Sequence, residues 1–448
     1  MTTSIKYLRM YMHGLGNDGL PLRQPVGYLS QYGDIMRLSF DAEYVSDSKR
    51  PIVSLAYQGG DEADTRAILE AKTDVRLVRQ DGHWPSYFMN LLPEGHNRVR
   101  LARERGCREE DDFELLAAAG HDLMGAIEVE PVSRDQEIPH AIRHWHTALG
   151  LDVLEPGFVE EPVADGAAIP GVVDKFSAIK EGRRYTAKRH GAAGSYILKL
   201  PSTRQLDLVE NEYMGYQLCK AVGLACAEAE IIPREDADLP EHVDFPRILA
   251  VKRFDRDAVM VDGEQSWRRI HFEEFCQAFG YEPRQKYGVG MATDYSRIAA
   301  LLNAVSGDAI YDLSEFVRRF TAFVLMGNCD AHLKNWGLVY RDGRTPRLAP
   351  LYDPVCVAAY FDDNDRNLYA YNRAIDDKLR ALTVDGLMEI MAMAKLNTRR
   401  LGQMRRQIEH TIATAKRLWP ELLKSAPPSM RDTVMVRLNG GTAMTAAS

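Results

Sequence analysis

The sequence predicts an α+β fold in two lobes, β-rich in its N-terminal part and mostly helical in its C-terminal part. Three observations predict it. From Ile5 to about Val53, short alternating runs such as Tyr28-Leu29-Ser30 and Met36-Arg37-Leu38-Ser39-Phe40 are punctuated by Gly and Asp, as antiparallel strands are. Beyond Phe272 the apolar spacing is helical almost without interruption to about Leu423. The interruption is itself informative: Trp336 to Tyr340 reads as a strand, Arg341-Asp342-Gly343 as a turn, and Arg347 to Leu351 as a returning strand. At 448 residues the chain has room for about three units of domain size.

Taken in order, helical spacing replaces the opening strands between Asp64 and Leu116. It breaks at Leu91-Leu92-Pro93-Glu94-Gly95 and resumes in a helix from Glu109 to Ala119 that Gly120 stops. His121 to Glu130 reads as a strand. Residues 132–165 are rich in Pro, Glu and His without sustained periodicity, which suggests a linker or a peripheral helix. His140 and the run His144-Trp145-His146 lack the cysteines or paired acids that would make them metal ligands. Tyr196 to Leu200 is a strand, and Leu208 to Val222 a helix closing at Gly223. Ala227 to Ile232 and Arg247 to Phe254 are two more strands. The expected division is 1–131, a β-rich subdomain; 132–165, a linker; 166–256, the remaining part of the first lobe; 257–438, a helical C-terminal lobe; and 439–448, a small-residue tail expected to be disordered.

Composition excludes several classes. No apolar run reaches the ~18 residues of a membrane span, and Met1-Thr2-Thr3-Ser4 leads into a strand-like stretch, so a cytoplasmic protein is expected. The six cysteines form no C-x-x-C pair, which supports neither a disulfide framework nor a zinc site. A net charge of -8 argues against coating nucleic acid by bulk electrostatics.

The chemistry-bearing residues are Asp330, Asn335 and Asp353. An aspartate and an asparagine five positions apart reproduce the spacing of the protein-kinase catalytic loop, where the aspartate takes a hydroxyl proton and the asparagine holds Mg²⁺. Alone that pattern is weak, and polar loops of Asp and Asn are also ordinary turn chemistry. The hairpin strengthens it by returning Asp353 towards Asn335, where a carboxylate and an amide oxygen suit a hard cation bridging ATP phosphates. Phosphoryl transfer also needs positive charge on the α and β phosphates. Lys199, between Leu198 and Leu200 in a strand, suits that task, although a lone strand lysine often only reaches past apolar neighbours to solvent. Glu210 or Glu212 on the following helix would orient it, and the helix dipole favours acids there for its own reasons. Upstream, Gly171 lies in a turn, and Lys175 adds charge.

These residues sit within longer segments that resemble the HipA family of bacterial serine/threonine kinases. The segments are Val209-Glu210-Asn211-Glu212-Tyr213, Ala229-Glu230-Ile231-Ile232, Arg253-Phe254-Asp255-Arg256, Phe275-Cys276-Gln277-Ala278-Phe279-Gly280 with Lys286-Tyr287, Asp330 to Asn335, and Pro350-Leu351-Tyr352-Asp353. Asn90 to Gly95 and Gly120 to Ala126 extend the resemblance into the N-terminal part. The resemblance implies a two-lobed HipA-like kinase fold binding ATP and Mg²⁺. It implies a toxin that phosphorylates a protein of the translation apparatus, such as an aminoacyl-tRNA synthetase. It also implies restraint by a small helix-turn-helix antitoxin that binds operator DNA.

Carried over residue by residue, the resemblance makes Asp330 the catalytic proton acceptor and Asn335 and Asp353 the metal ligands. Lys199 becomes the phosphate contact. Gly171, Val172, Val173, Asp174, Lys175 and Phe176 become the nucleotide loop, and Lys252, Arg253 and Phe254 the adenine-side connector. His332, Leu333, Lys334, Asn335, Tyr352 and Asp353 line the nucleotide pocket. One departure stands out: the family's loop often begins with a serine whose autophosphorylation switches the kinase off, and Ala168 occupies that place. Ser177 is a serine further on, expected to be merely solvated. Two other readings remain at this point, a corepressor that only clamps an antitoxin on DNA, and a small-molecule kinase with a related loop. The basic stretch Lys395 to Arg417 is compatible with phosphate contacts and equally with a solvated helix face.

Overall fold

The computed structural model describes residues 4–16, 19–133, 136–147, 150–153, 157–163, 169, 175–187, 194–201, 205–239, 245–261, 264–361 and 370–446. The chain divides into two compact units. The first comprises Met1–Ile197, Asp255–Arg284 and Val339–Arg344, and the second Leu198–Phe254, Gln285–Leu338 and Thr345–Ser448. The mixed α+β class is as expected, with strands concentrated early and helices late. Among the described residues no helix is long and apolar enough to cross a membrane.

In the first unit, alternation builds a five-stranded sheet in the order Val78–Arg79, Ile35–Phe40, Pro21–Tyr32, Lys6–Leu15, Ile127–Pro131. All of its pairings are antiparallel. Because successive side chains face opposite sides, Leu8, Met10 and Met12 enter the main core with Trp84, Phe88 and Leu116. Tyr7 and Tyr28 join a smaller cluster with Ile138 and Ile142. The expected break at 91–95 is present: one helix ends at Leu91 and the next runs Gly95–Arg105. The helix stopped by Gly120 is Asp112–Ala119. A Cβ on Gly120 would lie 2.4 Å from the Val129 carbonyl oxygen, so glycine is required by the close approach of the strand.

Three expectations change here. The strand expected from His121 begins only at Ile127, because the preceding turn is spent on a buried arginine. Arg256 donates to the carbonyls of Gly125 at 2.8 Å and Leu123 at 2.9 Å, and to Asp255 Oδ2 at 2.9 Å and Asp122 Oδ1 at 3.3 Å. Within 132–165, the described residues include a short helix, His140–Arg143, and an antiparallel hairpin of His144–Thr147 with Gly150–Val153. Ser177 is buried rather than solvated and donates to Asp122 Oδ2 at 2.7 Å. That aspartate needs donors once it is enclosed.

In the second unit the strands Ala229–Pro233 and Arg247–Lys252 pair antiparallel. Around them lie the helices Leu208–Ala221, Met291–Val305, Ala309–Met326, Val384–Met393 and Thr398–Leu422. Ala309–Met326 is buried along most of its length, its enclosed charges paired: Arg319 with Glu315 at 3.2 Å and Asp312 with Arg347 at 3.0 Å. Trp419 Nε1 donates to the Leu218 carbonyl at 2.9 Å, tying the long helix to Leu208–Ala221. The two strands expected after Asn335 are Gly337–Tyr340 and Arg347–Leu348, neighbours in one sheet, and the chain passes through the first unit between Val339 and Arg344. The return strand continues to Leu351, which bridges Cys226 in parallel with Leu351 N to Ala225 O at 2.8 Å and Ala227 N to Leu351 O at 2.9 Å.

The tail expected to be disordered is instead packed as far as it is described. Thr442, Met444 and Thr445 are buried. Ala443 N donates to Arg380 O at 2.7 Å, and Lys416 Nζ to Thr445 O at 3.2 Å. Small side chains are what let this segment turn back on the helices, a use that composition alone does not reveal.

Candidate functional site

The site lies within the second unit and is built on Lys199. Its ammonium is enclosed at the end of the strand Tyr196–Lys199, 2.5 Å from Glu212 Oε1 and 2.6 Å from Asp353 Oδ1. Burial alone lowers a lysine's pKa, but the adjacent Asp353 and Glu212 carboxylates outweigh it and hold the Lys199 ammonium above its ordinary value. Lys199 is therefore a fixed cation at neutral pH. Of the two candidate acids, Glu212 faces the lysine, whereas Glu210 pairs with Arg247 at 2.7 Å.

The helix Leu208–Ala221 is sewn to the segment that carries Asp353. Asn211, fully buried, accepts from Cys356 N at 2.8 Å and donates to Cys356 O at 3.1 Å. A Cβ on Gly215 would lie 1.7 Å from the Pro354 carbonyl oxygen, so only glycine lets the two backbones meet. Tyr216 accepts from Asp353 N at 3.2 Å. Asp353 itself has φ +59, a left-handed conformation uncommon outside glycine. Such strain persists where surroundings over-determine it, and here Asn328 Nδ2 also donates to Asp353 O at 3.4 Å.

The Asp330 loop follows Gly327, whose φ of +82 ends the helix Ala309–Met326. Asp330 N donates to Asn328 Oδ1 at 3.2 Å, His332 N to Asp330 O at 2.8 Å, and Asn335 N to His332 O at 2.8 Å. Asn335 Nδ2 donates to Asp330 O at 2.9 Å, which leaves its amide oxygen as the acceptor end of the side chain. Trp336 Nε1 and Tyr295 Oη both donate to Ala331 O, at 3.2 and 2.8 Å. Leu333 and Lys334 are buried, and Tyr352 Oη donates to Lys334 O at 2.9 Å. That bond links the Asp330 loop to the residue beside Asp353.

Lys199, Asp330, His332, Leu333, Lys334, Asn335, Tyr352 and Asp353 thus belong to one linked assembly. Phe254 joins it, its ring 5.6 Å from that of Tyr352. Arg253 is buried, and Lys252 pairs with Glu228 at 3.1 Å. Lys175 and Phe176 lie in the first unit, at the start of the hairpin Lys175–Glu181 with Arg184–Ala187. Lys175 N donates to Asn97 Oδ1 at 3.3 Å, and the Phe176 ring stacks under the Arg100 guanidinium at 4.4 Å. Gly171, Val172, Val173 and Asp174, together with Ala168, lie outside the described residues.

Sequence reasoning gave no role to Asn211, Gly215, Tyr216, Tyr287 or Asn328. A glycine inside an otherwise helical pattern was the available signal for Gly215. The others are defined by partners far away in the chain.

Residues 167–419 match the HipA-like C-terminal domain and residues 22–130 the HipA N-terminal domain. The chain belongs to the HipA family. It is 31% identical over 421 residues to Y4dM of Sinorhizobium fredii, named as a candidate kinase, covering 92% of this chain and 93% of that one. It is 25% identical over 355 residues to the serine/threonine-protein kinase toxin HipA of Shewanella oneidensis, covering 75% and 78%. In fold it is similar to the HipA chain of the Shewanella oneidensis complex of HipA, HipB and operator DNA. That match has a TM-score of 0.63 at 19% identity and covers 96% of each chain.

Proposed function

We propose that this HipA-family kinase transfers the γ-phosphoryl group of ATP to a serine or threonine of a protein of the translation apparatus, such as an aminoacyl-tRNA synthetase. It acts as a toxin in the cytoplasm, restrained by a small antitoxin through which operator DNA is reached. The observation that carries the kinase reading is the buried Lys199 ammonium between Glu212 and Asp353, with the Asp330 to Asn335 loop tied beside it. The toxin and partner readings rest on family membership, since the Shewanella relative is named a kinase toxin and its solved assembly contains HipB and operator DNA.

In this reading Lys199 binds the α and β phosphates and Glu212 keeps its ammonium aimed. Asp330 accepts the proton of the attacking hydroxyl. Asn335 and Asp353 fit Mg²⁺ in donor chemistry: Asp353 offers a part-exposed carboxylate on a pinned backbone, and Asn335 an amide oxygen, its amide nitrogen being held by Asp330 O. Two protein oxygens suffice for a cation that completes its shell with water and phosphate. When bound, the cation neutralises charge on the phosphates. Phe254, Tyr352 and His332 border the base and sugar, backbone groups of Lys252, Arg253, Leu333 and Lys334 supply polar contacts, and the role of nucleotide loop falls to Gly171 to Phe176 by the family resemblance alone.

Transfer of γ-labelled phosphate from Mg·ATP into proteins of a bacterial extract tests this. The wild-type chain labels a discrete protein, and Asp330→Ala lowers labelling by about a hundredfold or more, the usual contribution of a positioned proton acceptor. Equal labelling by the two chains would sink the assignment.

A further inference from the structure

Tyr287 takes no part in the assembly as read from the sequence, yet its hydroxyl donates to Asp330 Oδ1 at 2.6 Å. The bond is a product of the architecture, not of one rotamer. Two adjacent residues in the first turn of helix Met291–Val305 divide the work. Asp294 Oδ2 accepts from Val289 N at 2.9 Å and Gly290 N at 2.8 Å, which fixes the segment that carries Tyr287. Tyr295 donates to Ala331 O and fixes the loop that carries Asp330.

The two segments are also joined directly. Leu333 N donates to Lys286 O at 2.9 Å, and the Tyr287 ring meets the His332 ring edge-on at 5.3 Å. Gly288, at φ +67, approaches Asp294 so closely that a Cβ there would lie 2.1 Å from Oδ2. Tyr287 is thus delivered to Asp330 by a bracket whose every joint is a named hydrogen bond or a glycine-only approach.

We propose that Tyr287 is a positioning residue for phosphoryl transfer, its hydroxyl fixing which oxygen of the Asp330 carboxylate meets the incoming acceptor hydroxyl. This rests on the kinase reading, in which Asp330 takes the acceptor's proton. A carboxylate can rotate about its Cβ–Cγ bond, and a charge-assisted hydrogen bond to one oxygen removes that freedom. Proton acceptance is sensitive to such placement, because the acceptor must lie within hydrogen-bond reach of the attacking hydroxyl.

Two measurements test it. In the full chain labelled with 3-fluorotyrosine and without nucleotide, the ¹⁹F resonance of position 287 is the one lost in Tyr287→Phe. It shifts in Asp330→Asn, and an unchanged resonance overturns the proposal. In labelling of extract proteins, Tyr287→Phe lowers the rate at saturating ATP about ten- to a hundredfold, the size of one charge-assisted hydrogen bond acting in the transition state. The KM for ATP and the melting temperature stay at wild-type values. A risen KM at unchanged maximal rate, or an unchanged rate, overturns the positioning role while leaving the kinase assignment intact. No transfer by the wild-type chain, with the fluorine shift present, overturns both.

Discussion

Each unit encloses a cation between two acids, and the two enclosures are built to opposite ends. In the first, Arg256 and its partners Asp122 and Asp255 have no exposed side-chain surface. The guanidinium is also claimed by the carbonyls of Leu123 and Gly125, and Gly125 N donates to Asp255 Oδ2 at 2.7 Å. In the second, Lys199 is buried, but the side chain of Asp353 is 32% exposed and stands on a left-handed backbone. A buried charge costs several kcal/mol unless it is paired and hydrogen-bonded. The Arg256 cluster meets that cost with two carboxylates and two carbonyls, all of them enclosed. The Lys199 cluster leaves one acid open, which is what a site that must exchange partners with a ligand requires. Burial of charge alone does not mark function; an incompletely enclosed charge on a strained, over-determined backbone does.

The largest effect that would sharpen this contrast is on the closed cluster. Arg256→Leu strands two buried carboxylates and is expected to lower the unfolding free energy by about 3–5 kcal/mol, read by urea denaturation of the full chain. Lys199→Met comes next. On the proposed kinase reading it is expected to lower phosphate transfer by about a hundredfold or more, with a smaller loss of stability than Arg256→Leu because it strands one buried carboxylate, Glu212, while the part-exposed Asp353 can turn to water. Equal losses of stability in the two variants would break the comparison.

A further buried acid, held by neutral donors, supplies the last effect. Glu273 of the first unit is answered by neutral donors, accepting from Ser54 Oγ at 2.7 Å, Leu55 N at 3.1 Å and the Tyr340 hydroxyl. Burial dominates and pushes its carboxyl up to about 7. The folded chain then holds this proton more tightly than the unfolded one. The stability it contributes is full below the ordinary carboxyl value near 4.5 and is lost as pH rises through about 7. Between pH 4.5 and 8 the wild-type chain is expected to lose about 3 kcal/mol relative to Glu273→Gln, which cannot titrate. Parallel pH profiles of the two chains in chemical denaturation would show that neutral donors are enough to keep this carboxylate charged.

Legibility in the sequence followed the range of the cause. The sheet of the first unit was readable because side-chain alternation is local, and the break at 91–95 because Pro and Gly act on their own backbone. The two strands after Asn335 were readable for the same reason, and so was the spacing of Asp330 and Asn335. The choice of Glu212 over Glu210 was not, since it depends on which helix face meets Lys199 and on Arg247 capturing the other acid. The shortened strand before Ile127 was misread because Arg256, far along the chain, claims the carbonyls of the turn. Ser177 was misread as solvated for a related reason, its neighbour Asp122 being part of the same cluster.

By itself, then, the sequence determined the element types, the order of the chemistry-bearing residues and the family they resemble, because each is written in short-range pattern. Only the tertiary structure decided that Asp353 adopts φ +59, that Gly215 admits the Pro354 carbonyl, and that Tyr287 reaches Asp330. Those are contacts between segments tens to more than a hundred residues apart. Their geometry is fixed by packing and hydrogen-bond satisfaction, not by the preference of any residue for its own conformation.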